Sequence, residues 1–134
     1  MNKTVETRTE EITLRDDGIV YCVAKQGIIL TLKDAKENIL AISKLANGKK
    51  VPVLVDIRGA TEATKEARKY FSNDEVAEVQ SAVAMLVDSG FSKLLGNFFI
   101  GLNRPLFPIR LFMKEQEALR WLENFQSENV ATEK

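Results

Sequence analysis

The carboxylates Glu62 and Glu66 stand one helical turn apart in sequence, a spacing that puts two acids on one helix face for general acid/base work. Their neighbours Lys65, Arg68 and Lys69 point to a plainer role, as first-turn acids favoured by the helix dipole and paired with nearby bases. Asp56 closes an apolar run and Arg58 follows it, so a carboxylate and a guanidinium flank the end of one strand. A strand-end Asp readily accepts hydrogen bonds from the following turn, and that structural role is expected of Asp56, with Arg58 as a solvated turn residue. The same place is also where open α/β sheets meet ligands and partners, beyond the carboxyl ends of the strands. Asp56 and Arg58 are therefore candidate binding residues.

Other chemistries are excluded by what the sequence lacks. There is no histidine, which removes the commonest general base, the commonest zinc ligand and every Ser-His or Cys-His nucleophile pair. The single cysteine, Cys22, sits in the apolar run from Ile19 to Ala24 and reads as a small buried hydrophobe rather than a reactive thiol. It has no disulfide partner within the chain, which fits a reducing compartment. The turn after Asp56 offers one glycine, Gly59, and one arginine, too little for a phosphate-cradling loop. No catalytic residues, metal or cofactor are expected. The 19 basic and 19 acidic residues cancel and are interspersed, so the footprint of a nucleic-acid binder is missing. The first residues lack the apolar core of a signal peptide, and no apolar stretch is long enough to span a bilayer. The cytoplasm is the expected location.

The elements that position these residues follow from apolar periodicity and turn chemistry. Val5 to Leu14 alternates as an edge strand, Asp16-Asp17-Gly18 turns it, and Ile19 to Ala24 pairs back antiparallel. Ile28 to Leu30 is a short extended return. Thr31 is a helix N-cap with Asp34 in the first turn; Leu32, Ala35, Ile39, Ile42 and Ala46 form its apolar stripe, and Gly48 ends it. Val51 to Ile57 is apolar throughout, as a strand covered on both faces must be, with Pro52 tolerated at its start. Thr61 is the expected N-cap of a second helix that buries Ala63, Ala67, Tyr70 and Phe71, followed by a short helical piece from Glu75 to Gln80. Ala82 to Val87 is another buried strand. A helix from Phe91 to Leu102, a loop from Pro105 to Pro108, a strand from Ile109 to Met113 and a helix burying Ala118, Trp121, Leu122 and Phe125 complete the chain.

The result is an α/β fold of order β-β-α-β-α-β-α-β-α, with a single mixed, mostly parallel sheet of about five strands and helices packed on it. One domain covers residues 1–126, and residues 127–134 form a polar tail. The helix from Phe91 to Leu102 and the segment from Leu106 to Phe112 are unusually apolar, which raises a surface for a small apolar ligand or lipid. Asn97, Asn103 and Arg104 are the polar groups at its edge and are candidate contacts.

The stretch from Val53 to Thr61 is similar to the strand and turn of the STAS domains, the anti-sigma-factor antagonists and the cytoplasmic tails of sulfate transporters. In these a hydrophobic strand ends in an Asp-Leu-Ser-Gly-Val-Thr-like turn. Ala67 to Phe71, Leu95 to Phe99 and Ala118 to Leu122 also look like a group of uncharacterised bacterial proteins with a STAS-like or Sec14-like fold. The resemblance implies a regulatory, non-catalytic protein-interaction module. In the antagonists the next helix opens with Asp-Ser-Ser-Gly, and one serine is phosphorylated. Here the matching residues are Thr64, Lys65, Glu66 and Ala67, so Glu66 occupies the acceptor position and the phospho-switch is not inherited.

The expected face is thus the rim from Asp56 to Glu66, with Thr61 and Thr64 as its hydroxyls, and a protein as its partner. The first strand is an open edge and the apolar helix an uncovered face, which makes a homodimer a further expectation.

Overall fold

The structure is a computed structural model that describes residues 3–88 and 106–132, with side chains up to residue 126. The expected helix from Phe91 to Leu102, with the candidates Asn97, Asn103 and Arg104, lies outside the described residues.

The chain opens with a hairpin, β1 (Lys3–Glu6) and β2 (Glu10–Leu14), where one edge strand was expected. The three residues between them carry no glycine, proline or asparagine, so nothing local announces the reversal. Long-range contacts of Thr7, Arg8 and Thr9 with Asp34 and Asn38 hold it, and bonds within the turn close it. Thr7 N–H donates to the Glu10 carbonyl at 2.8 Å, Thr7 Oγ1 accepts from Glu10 N–H at 3.0 Å, and both Thr7 and Thr9 are buried.

The turn at Gly18, with φ +86°, leads into β3 (Val20–Ala24), antiparallel to β2 as expected. β4 (Ile29–Leu30) then runs into α1 (Leu32–Leu45). Thr31 caps α1 as predicted, in a reciprocal capping box with Asp34. At the far end Asn47 and Gly48 turn left-handed, at φ 54° and 77°, and Gly48 N–H closes on the Ser43 carbonyl.

Next come β5 (Val51–Asp56), β6 (Glu62–Ala63), α2 (Lys65–Tyr70), α3 (Asp74–Ala77), β7 (Gln80–Leu86), β8 (Ile109–Phe112) and α4 (Glu115–Thr132). The main sheet has six strands in the order β1-β2-β3-β5-β7-β8, one more than expected because of the opening hairpin. From β3 to β8 all pairs are parallel. Pro52 is accommodated by a register shift between Val51 and Pro52 in the β5–β7 ladder.

Alternation along the inner strands builds a core on each face of the sheet. Val20, Cys22, Val53, Val83 and Met85 meet Ala35, Ile39 and Ile42 of α1 on one side. Ile19, Leu54, Ala82, Ala84, Leu86 and Phe112 meet Ala118 and Leu122 of α4 on the other. Ala82, Ala84 and Ala118 are all fully buried, and three small side chains at one contact let α4 approach β7 closely. Leu54 and Leu122 are also at 0% exposure, each worth roughly 1.5–3 kcal/mol of burial.

Thr61 does not cap the second helix. Glu62 and Ala63 are extended and pair in parallel with Ile29 and Leu30, giving a two-stranded sheet that local propensity does not reveal. The cap falls to Thr64, whose Oγ1 accepts from Ala67 N–H at 3.2 Å. Glu62 and Glu66 therefore do not share a helix face, which removes the paired-carboxylate arrangement.

Candidate functional site

β5 ends at the rim formed by the carboxyl ends of the parallel strands, and the next eight residues are held there by the loop that follows β3. Gly27 N–H donates to the Gly59 carbonyl at 2.8 Å, Thr61 N–H to the Ile28 carbonyl and Thr64 N–H to the Leu30 carbonyl, both at 2.9 Å. Gly59 is required by proximity. A Cβ there would stand 2.9 Å from Gln26 Nε2 and 3.0 Å from the Ala24 carbonyl oxygen.

Asp56 and Arg58 lock the start of this loop. Arg58 Nε and Nη2 reach Oδ1 and Oδ2 of Asp56 at 2.9 and 2.7 Å, and the Arg58 backbone N–H adds a third bond to Oδ1 at 3.1 Å. Burial pushes the Asp56 carboxyl up, but the hydrogen bonds and charge of Arg58 outweigh it and hold the group below its ordinary range. Asp56 is thus the structural carboxylate expected, whereas Arg58 is its ion-pair partner rather than a merely solvated turn residue. Arg58 still keeps nearly half of its side chain exposed. Beside them Tyr21 donates its hydroxyl to Glu115 at the start of α4, at 2.9 Å, and burial followed by Glu115 pushes the phenol up to about 12.

The rim candidates therefore separate into supports and presented groups. Asp56 is buried and Thr64 is used as a cap, while Arg58, Thr61, Glu62 and Glu66 face solvent.

A second polar cluster, at the opening hairpin, was not anticipated from sequence. Arg8 forks onto Asp34 through Nε–Oδ1 at 2.8 Å and Nη2–Oδ2 at 2.5 Å, and also donates to the Ile29 carbonyl at 3.0 Å. Arg8, with help from Thr31, holds the Asp34 carboxyl well below the usual carboxylate range. One turn on, buried Asn38 accepts from Thr7 Oγ1 at 2.6 Å and donates to Thr9 Oγ1 at 3.0 Å. The apolar stripe of α1 contained the available signal, because Asn38 lies on the same face as Ala35 and Ile42.

Beneath α1 lies a cavity of about 90 Å³, and Glu10 and Cys22 line it. Burial pushes the Glu10 carboxyl up to about 7, against a small opposing effect of its hydrogen bond with Cys22. Burial, then Glu10, push the Cys22 thiol well above its ordinary value, so it stays protonated. Strand alternation carried this signal too, since Glu10 shares a face with Ile12 and Leu14. Phe107 and Ile109, from the apolar segment noted in the sequence, also line this space. Among the described residues no cluster of three acids, cysteines or histidines is placed to hold a metal ion. No helix among them is long and apolar enough to cross a membrane.

No curated protein matches this chain. Among solved structures, an uncharacterised DUF3478-family protein with a SpoIIAA-like fold, from Shewanella loihica PV-4, is 17% identical. The comparison covers 91% of this chain and 92% of that one, with a TM-score of 0.50. A protein of unknown function from Arthrobacter sp. FB24 is 29% identical over 88% of this chain and 95% of its own, with a TM-score of 0.35. The Shewanella likeness shows that the fold is SpoIIAA-like, which is the STAS-like arrangement expected from the strand and turn at Asp56. The family described as a domain of unknown function, DUF7793, matches residues 12–126, and the chain belongs to that family.

Proposed function

We propose that this chain is a non-catalytic interaction module of the bacterial cytoplasm, and that a protein partner docks on the rim from Asp56 to Glu66. The bracing of that loop carries the reading. Backbone bonds from Gly27, Thr61 and Thr64 and the Asp56–Arg58 ion pair fix the loop, while Arg58, Thr61, Glu62 and Glu66 stay exposed on it. A surface ordered before contact loses little conformational entropy on binding. Glu66 is the better test position, because Arg58 also holds the loop together. Affinity capture followed by reconstitution with the purified partner should recover a complex with wild type and with Lys49→Glu at the other end of the sheet, but not with Glu66→Arg. Capture of nothing above blank resin, or equal capture by Glu66→Arg, refutes the reading. Self-association through the exposed outer strand β1 accompanies it, and a monomer mass by light scattering at all concentrations removes that part.

A second reading, a small apolar-ligand binder, is favoured by the cavity beneath α1. Native mass spectrometry of freshly purified protein should then show a bound small molecule, and a clean unliganded spectrum refutes it.

A further inference from the structure

The cavity beneath α1 has hydrocarbon walls and one acid. Ile39 and Ile42 of α1, Val55 of β5, Ile109 of β8 and Phe107 supply apolar surface, and no Lys or Arg is among the described residues that line it. Among the described lining residues the titratable groups facing Glu10 reduce to Cys22 of β3; α1 contributes neutral Asn38, β7 neutral Gln80, and β5 and β8 apolar side chains. Asn38 is already committed on both sides of its amide to Thr7 and Thr9. Glu10 is half-buried as a residue, and its carboxyl is the desolvated part.

Charge complementarity decides what such a space accepts. A carboxylate that has lost part of its hydration in apolar surroundings gains most from a cation. A second anion, such as a fatty acid or phosphate, would find no positive group among the described residues that line it. The volume limits size. Scaling from benzene in a cavity of roughly 150 Å³ gives room for about four non-hydrogen atoms.

Resting on the small-ligand reading above, we propose that the cavity binds a short primary alkylammonium, its chain among the apolar walls and its –NH3+ donating to the Glu10 carboxylate. Because burial holds that carboxyl near 7, ammonium binding displaces a proton from it. Affinity should therefore rise roughly tenfold from pH 6 to pH 8, where a primary amine stays charged.

The test is an amide chemical-shift titration of the full chain with propylamine, 1-propanol and acetate, each of four non-hydrogen atoms, at both pH values. Propylamine should move the amides of Glu10, Cys22 and Ile39, tighten roughly tenfold between the two pH values, and bind better than acetate at pH 8. Glu10→Gln should remove that pH dependence and keep 1-propanol binding; Glu10→Asp, which withdraws the carboxylate by one methylene, should weaken propylamine while leaving 1-propanol unchanged. Equal binding of acetate and propylamine, or unchanged propylamine affinity in Glu10→Gln, overturns the proposal while leaving the small-ligand reading standing if 1-propanol binds. Failure of all three probes overturns both.

Discussion

Arg8, in the turn of the opening hairpin, and Asp34, in the first turn of α1, are 26 residues apart and form a two-pronged ion pair, with a further bond from Arg8 to the Ile29 carbonyl. One guanidinium thereby joins the edge of the sheet, the short strand β4 and the helix that covers the core. Its acid is doubly used, because Asp34 also closes the capping box with Thr31.

Acid should loosen this junction first. The folded state holds the Asp34 carboxyl well below its unfolded value near 3.8, so its contribution is fully present above that value and is lost as pH falls toward the lower, folded one. Urea midpoints measured from pH 6 downward should fall below about pH 4, and Asp34→Asn should flatten that part of the profile. An unchanged slope in Asp34→Asn assigns the acid sensitivity elsewhere. Thr31→Ala, which removes the cap and the hydroxyl bond to the Asp34 carboxylate, should cost about 1 kcal/mol.

Glu10 should act in the opposite direction. Its folded carboxyl titrates near 7 against an ordinary 4.5, so the folded state holds the proton more tightly. The stabilising contribution of the neutral form is complete below 4.5 and is lost as pH rises through 7. Glu10→Gln should be more stable than wild type at pH 8, by on the order of 1–3 kcal/mol, and equal to it at pH 4. Thermal melts at the two pH values check this, and a destabilised Glu10→Gln at pH 8 contradicts it.

The loop bracing makes Gly59 a sensitive position. In Gly59→Ala the flexible end of Gln26 can move aside, but the Ala24 carbonyl cannot easily do so, and a loss of about 1 kcal/mol is expected. Amide exchange should quicken at Gly27, Thr61 and Thr64, whose bonds tie the two loops together. Unchanged protection there would mean that the loops are not braced through this contact.

Core and surface leucines should separate cleanly. Leu54→Ala empties a fully buried position between the sheet and α4 and should cost about 2–5 kcal/mol by urea unfolding. Leu40→Ala, at 55% exposure on α1, should stay within about 0.5 kcal/mol.

The sequence by itself determined the α/β class, the parallel inner strands, the Thr31 cap, the turn at Gly18 and the place of Asp56 at the end of the central strand. Each of these follows from interactions between near neighbours or from an apolar period, and both are written along the chain. The hairpin at Thr7 to Thr9, the pairing of β4 with β6, the shift of the helix cap from Thr61 to Thr64 and the union of Glu10 with Cys22 were decided only by tertiary structure. In each case the deciding partner is distant in sequence: Asn38 and Asp34 for the hairpin, Ile28 to Leu30 for the extended stretch at Glu62, and the packing of α1 for the cavity. A threonine or a carboxylate carries no mark of whether a partner 30 residues away will bury it, so these contacts become visible only once the sheet has brought the segments together.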